Sequence, residues 1–152
     1  MHNWFECKVN CERILENGMQ KRETEPYLVD ALSFTEAEAR IIKEVTPYIS
    51  GEFTITDIKR AKLSEIFLYD GGDRFFRAKV LFLSLNEKTG TIKKTATQML
   101  AQASDSEEAI KVIHKGMEGT LADYEIASVS ETGILDIFPY GDSIKSIVLE
   151  GE

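Results

Sequence analysis

Residues 4–70 of this chain are matched by residues 75–140 in a nearly constant register, and that correspondence limits the possible folds more than any local motif does. Trp4-Phe5-Glu6-Cys7-Lys8-Val9 returns 71 positions later as Phe75-Phe76-Arg77-Ala78-Lys79-Val80, and Leu63-Ser64-Glu65-Ile66-Phe67 returns at the same offset as Ile134-Leu135-Asp136-Ile137-Phe138. Between those ends the offset is 72, so Gly18, Lys21, Leu28, Ala31, Ala37 and Ile41 fall on Gly90, Lys93, Leu100, Ala103, Ala109 and Ile113. The pattern reads as an internal duplication: repeat 1 over 4–70, repeat 2 over 75–140, then a segment 141–152. Two similar modules present similar surfaces, which suits binding better than it suits one asymmetric catalytic centre. A module of about 70 residues is near the lower limit for a self-sufficient core. The expectation is therefore a single compact unit over 1–152 in which the repeats share one core or one continuous sheet.

Each repeat opens with alternating apolar residues. Phe5, Cys7 and Val9 share one side of a strand with Trp4, Glu6 and Lys8 on the other, and Phe76, Ala78, Val80 and Phe82 oppose Phe75, Arg77 and Lys79. Turn residues follow at Glu16-Asn17-Gly18 and Glu87-Lys88-Thr89-Gly90, so a hairpin is expected in both repeats. The return strands carry Tyr27, Val29 and Ala31, or Met99, Ala101 and Ala103, toward the core. Ser33-Phe34-Thr35-Glu36 is a capping box and Asp105-Ser106-Glu107-Glu108 its acidic counterpart. Helices should start there, with Phe34, Ala37, Ile41, Val45 and Tyr48 as one apolar stripe and Ala109, Ile113 and Met117 as the other. Pro47 and Gly51 end the first helix, Gly116 and Gly119 the second. A strand through Phe53 and Ile55, or Tyr124 and Ile126, completes the module, followed by a short extended arm ending in Ile66-Phe67 or Ile137-Phe138. The fold class read from this is α+β: two fused strand-strand-helix-strand modules, two helices packed on an antiparallel or mixed sheet, with pseudo-twofold symmetry. Ile144 to Leu149 is apolar enough to supply a last strand before the acidic end Glu150-Gly151-Glu152.

A hydrophobic fraction of 43% excludes disorder, and no apolar run approaches the 18 residues of a membrane span. The start Met1-His2-Asn3-Trp4-Phe5 lacks a secretory leader, so a cytoplasmic location is expected, with no membrane partner. Cys7 and Cys11 lie roughly 13 Å apart along one strand and do not bridge each other within it. The net charge of −8 opposes indiscriminate attachment to nucleic acid or anionic membrane. It is distributed as −4 in repeat 1, −2 over 73–140 and −2 in the tail, leaving repeat 2 nearer neutrality.

The catalytic inventory is thin. His2 is terminal and His114 reads as a solvated helix residue. No cysteine pair has metal-site spacing, and the match of Cys7 to Ala78 marks a small buried position rather than a nucleophile. Gly141-Asp142-Ser143 and Gly90-Thr91 lack the glycine pattern and lysine of a phosphate-binding loop and read as turns. Glu36, Glu38 and Glu44 fit a solvated helix face. Neither an enzyme, a cofactor nor a metal site is indicated; an enzyme with an unrecognised site is the distant alternative.

The repeated polar strand side is the better candidate. Trp4 with Lys8, and Phe75 with Arg77 and Lys79, lie opposite the core, and Arg22 and Lys94 lie on the corresponding side of the return strands. If helices cover one face of the sheet, aromatics and cations gather on the other, where stacking and phosphate pairing hold single-stranded nucleic acid or a nucleotide. The competing reading is that Trp4 and Phe75 cover a second hydrophobic layer. Glu6, Glu23 and Glu25 weaken the positive potential in repeat 1. The alternative function is a protein-interaction adaptor or homodimerisation module, in which the same aromatics bury against another chain.

Three stretches, Asn3 to Val9, Thr24 to Arg40 and Ala122 to Ser128, resemble an uncharacterised domain-of-unknown-function family of Bacteroidetes bacteria and their phages. The resemblance covers nearly the full chain and implies no activity or catalytic residues. In layout alone, the aromatic opening strand and later Glu-Ala helix are similar to a small ribosomal-protein module, which is strongly basic where this chain is acidic.

Overall fold

A computed structural model describes residues 3–141 and 144–149. The fold is α+β, with two helices and nine strands in two mixed sheets among the described residues. Strands β1 (Trp4–Ile14) and β2 (Gln20–Asp30) form a long hairpin. Helix α1 (Phe34–Val45), a single 3₁₀ turn (Thr46–Tyr48) and β3 (Phe53–Ala61) follow, then β4 (Glu65–Leu68). The series returns as the hairpin β5 (Arg74–Asn86) and β6 (Thr91–Ala103), helix α2 (Ser106–Gly116), β7 (Asp123–Glu131) and β8 (Asp136–Phe138). A two-residue strand, β9 (Lys145–Ser146), ends it.

The expectation of one continuous sheet and core is corrected. Strand order β3-β1-β2-β8 makes a four-stranded sheet, and β7-β5-β6-β4-β9 a five-stranded one. The described residues fall into two compact units, unit 1 from residues 3–62 and 133–141 and unit 2 from residues 63–132 and 144–149. Each has its own helix-side core: Phe5, Cys7, Val9, Val29, Ala37 and Ile41 in unit 1, and Phe76, Ala78, Val80, Met99, Val112 and Ile113 in unit 2. Each sheet takes one short arm from the other half of the chain, an exchange of strands. The arm β4, which follows β3 in the chain, pairs in parallel with β6 through Glu65↔Met99 to Phe67↔Ala101, while β8 pairs with β2 through Tyr27↔Asp136 to Val29↔Phe138. The tail joins as β9, parallel to β4.

Local chemistry explains the elements. Positive φ at Gly18 (82°) and Gly90 (71°) closes the two hairpins where a side chain would be strained. Ser33 Oγ accepts from the Glu36 amide at 3.1 Å and Asp105 Oδ1 from the Glu108 amide at 2.8 Å, so both N-caps form as the sequence predicts. A β-bulge falls at aligned places, between Lys8 and Val9 against β3 and between Lys79 and Val80 against β7, leaving Thr56 and Ala127 as the extra residues. The predicted apolar stripe of α1 is shorter than expected. Ala37, Ile41 and Val45 are buried, but Phe34 is 48% and Tyr48 71% exposed. Phe34 is the first helical residue, where the stripe has not yet turned fully to the sheet, and Tyr48 lies past the helix end in the 3₁₀ turn.

Candidate functional site

The sheet sides facing away from the helices carry the residues expected to bind. Trp4 and Phe75 are not exposed: each is about 5% accessible, a correction to their expected role as open stacking platforms. They belong to apolar patches on the far side of each sheet. Leu28, at 0% exposure, pairs with Ile137 in unit 1, and Leu100, also at 0%, pairs with Ile66 in unit 2. The exchanged arms thus supply one residue to each far-side patch, and the second hydrophobic layer is the arrangement observed. Strand parity shows which side a residue faces, not whether that side is covered.

The cations remain on the far sides but are spread. Half-buried Lys8 lies opposite Pro26 and Asp57. Arg22, four residues along the neighbouring strand, pairs with Glu12 at 3.4 Å. Arg77, half-buried, lies opposite Leu100 and Ser130, exposed Lys79 opposite Gln98 and Ser128, and Lys94 holds Glu125 at 3.0 Å. Lys59 and Glu6 at 3.7 Å, and Asn10 to Thr24 at 3.1 Å, complete a polar far side in unit 1.

Unit 2 differs beyond Lys79. Leu81, Leu83 and Leu85 continue along β5 on that side, opposite Ala96, Lys94 and Ile92. Strand β7 supports β5 only as far as Leu83, so Leu85 and Ile92 face each other on a bare two-stranded ribbon, 64% and 62% exposed. Asp123 and Glu125 border this stripe from β7, and Lys79 and Lys94 border it from the ribbon. Leu81, Leu83 and Leu85 alternate in the sequence but include no aromatic residue, the signal that marks Trp4 and Phe75.

A second feature lies on the helix side of unit 2. Ser106, Ile110 and His114, spaced four apart on one face of α2, form one wall of an open cleft of ≈ 470 Å³, and Ile126, Ala127, Ser128 and Val129 of β7 form the other. His114 Nδ1 lies 2.7 Å from the Tyr124 hydroxyl, tying the helix end to the start of β7, and burial raises the Tyr124 pKa. Beyond His114 the surface continues past Lys111, Lys115, Glu118 and Leu149.

Unit 1 contains the most constrained titratable group. Glu25, buried on β2, accepts from Arg13 Nε at 3.0 Å and Nη2 at 2.7 Å and from the Tyr27 hydroxyl at 3.0 Å. The Arg13 hydrogen bonds hold its carboxyl below the ordinary range against the opposing effect of burial. Burial and the Glu25 charge push Tyr27 up. Cys7 is buried as expected, and its thiol is pushed up to about 12 chiefly by burial. Glu25 is enclosed between Arg13 and Tyr27 while Arg13 itself stays partly solvated, the arrangement of a structural clamp. Among the described residues, no group of three His, Cys, Asp or Glu side chains is placed to hold a metal ion, and no helix is long and apolar enough to cross a membrane. His2, Asp142, Ser143 and the acidic end 150–152 lie outside the described residues.

A family model described as a domain of unknown function (DUF4494) matches residues 3–140. The chain belongs to that family. No curated protein and no solved structure matches it.

Proposed function

We propose that this DUF4494 chain is a non-catalytic protein-interaction module that self-associates through the far side of its β5–β6 ribbon. The observation that carries this reading is the unsupported apolar stripe ending in Leu85 and Ile92. Apolar surface of this kind, rimmed by polar groups, marks an interaction site. A second copy suits it. Lys79 on one border and Asp123 on the other, beside the internal Lys94–Glu125 pair, let an isologous, twofold contact set a cation of one copy against a carboxylate of the other. The same reading takes the two halves as copies of one module in a cytoplasmic protein of bacterial or phage origin.

The test is sedimentation velocity over a wide concentration range. Wild type should shift reversibly from monomer to dimer, and the double variant Leu85→Glu/Ile92→Glu should stay monomeric with an unchanged circular dichroism spectrum. A wild type that is strictly monomeric up to hundreds of micromolar overturns the homodimer. Nucleic acid is the second reading, supported by the cations Lys8, Arg22, Arg77, Lys79 and Lys94 on the sheet sides. With Trp4 and Phe75 enclosed, it rests on charge alone. Fluorescent single-stranded DNA and RNA oligomers titrated at low salt, where charge attachment is strongest, test it. Saturable binding abolished by Lys79→Glu/Lys94→Glu would favour this reading over the first.

A further inference from the structure

The two helix–edge junctions of the molecule are built from aligned residues and finished differently. In unit 1 the Phe34 ring meets the Phe5 ring edge-on at 4.9 Å, and the Arg60 guanidinium lies over both, 5.2 Å from Phe5 and 5.7 Å from Phe34. In unit 2 the position following the N-cap is Ser106, not an aromatic, and the cleft between α2 and β7 opens beside it. The edge strands differ as well. Beyond its bulge, β3 carries Asp57, Lys59 and Arg60, charges of the kind that guard an edge against further pairing. The aligned residues of β7 are Ser128, Ser130 and Glu131, and Glu131 is taken up by Arg74 at 3.0 Å. Strand β7 ends the five-stranded sheet, with β5 on one side and no strand on the other among the described residues.

We propose that the cleft between α2 and β7 receives an extended segment of a partner polypeptide, which adds to the sheet as a strand antiparallel to β7. Main-chain pairing to the open edge supplies affinity, and alternate side chains entering the cleft supply selectivity. The helix runs counter to the strand. Its start lies near Glu131, since Arg74 bonds both that carboxylate and the Ser104 carbonyl, whereas His114 meets Tyr124 at the other end. An added strand therefore runs the same way as α2. Its apolar, β-branched residues rest on Ile110, Ile126 and Val129. Its C-terminal end reaches the surface of Lys111, His114 and Lys115, where Lys115 is held by Glu118 at 3.3 Å and Lys111 adds a second cation. Charge complementarity thus selects a segment with apolar residues followed by an acidic one. Ser106 and His114 add hydrogen-bonding groups to the helix wall.

The experiment is selection of a phage-displayed random octapeptide library on the full chain, followed by titration of the enriched peptides and amide hydrogen exchange. Enriched sequences should alternate apolar residues and end in an acid, and their binding should slow exchange across residues 123–131. Ser106→Phe, which rebuilds the filled junction of unit 1, and Ile110→Glu should each weaken binding at least tenfold while leaving the fold intact. Leu85→Glu/Ile92→Glu should leave peptide binding unchanged, so this site and the ribbon face fail or stand independently. The proposal is overturned if no sequence enriches, if enriched peptides protect another region, or if they bind Ser106→Phe and Ile110→Glu as tightly as wild type.

Discussion

Unit 1 fills its helix–edge junction with an aromatic ring and lines its far-side ribbon with polar residues as far as Glu12, whereas unit 2 has a cleft and an apolar stripe at the matching places. On the far side, unit 1 offers Asn10, Glu12 paired with Arg22, and Ile14 where unit 2 offers Leu81, Leu83 and Leu85, so the stripes differ at the first two positions and both end in an exposed apolar residue. On the helix side, unit 1 has Phe34 beneath Arg60 where unit 2 has Ser106 beside a cleft. The same order of elements therefore gives two surfaces of different chemistry, and the difference is made by side chains rather than by backbone topology. The proposed contacts are placed on unit 2 for that reason.

The largest effect that can sharpen this comparison lies in the exchanged arms. Phe67 of β4 is 1% exposed and sits against Gly116 of α2, where even a Cβ would come within 2.6 Å of its ring. Its counterpart Phe138 is only half-buried and stacks on Tyr27 at 5.9 Å, with Arg40 of α1 bonding to the Phe138 and Pro139 carbonyls at 3.4 Å. Phe67→Ala should cost about 3–5 kcal/mol in denaturant melts, and Phe138→Ala roughly 1–2 kcal/mol, in proportion to the smaller burial. Equal losses would mean that the two arms contribute alike.

Next is the buried ion pair, present in unit 1 alone: Ser84, Thr97 and Met99 stand where Arg13, Glu25 and Tyr27 would fall in unit 2. Because the folded Glu25 carboxyl is held below its ordinary value of 4.5, its contribution is complete above that value and is lost as pH falls through the folded one. Glu25→Gln should destabilise by about 2 kcal/mol at neutral pH, less than a fully enclosed pair because Arg13 is partly solvated. The gap to wild type should close as urea midpoints are followed into acid. A constant gap at all pH values would assign the loss to packing.

Much of this was legible in local periodicity. The parity of Phe5, Cys7 and Val9, the N-caps Ser33 and Asp105 and the hairpin glycines each depend on neighbours within a few residues, so the sequence carries them directly. The short arms were legible as extended segments, but their pairing was not, because β4 pairs with strand residues 34 positions away over only three residue pairs. Parity placed Trp4 and Phe75 on the right side and gave no information on what encloses them. The cleft left a faint trace: Phe34 aligns with Ser106, but helical spacing alone does not show that Phe34 caps the Phe5 ring at the sheet edge instead of joining the buried stripe.

The smallest effect tests the filled junction itself. Arg60 lies over two rings with its guanidinium near the surface, a position at which a cation–π contact is worth about 0.5–1 kcal/mol. Arg60→Ala should lower stability by that amount and raise the exposure of Phe34, which is already half accessible. With Phe34→Ser added, the junction should resemble that of unit 2 in shape, yet Asp57 and Lys59 still guard β3. Peptides selected on the α2–β7 cleft should therefore show no exchange protection at residues 53–61 in the double variant. Protection there would mean that opening the groove suffices for strand addition, and that the exchange of Asp57 and Lys59 for Ser128 and Ser130 is not what sets the two units apart.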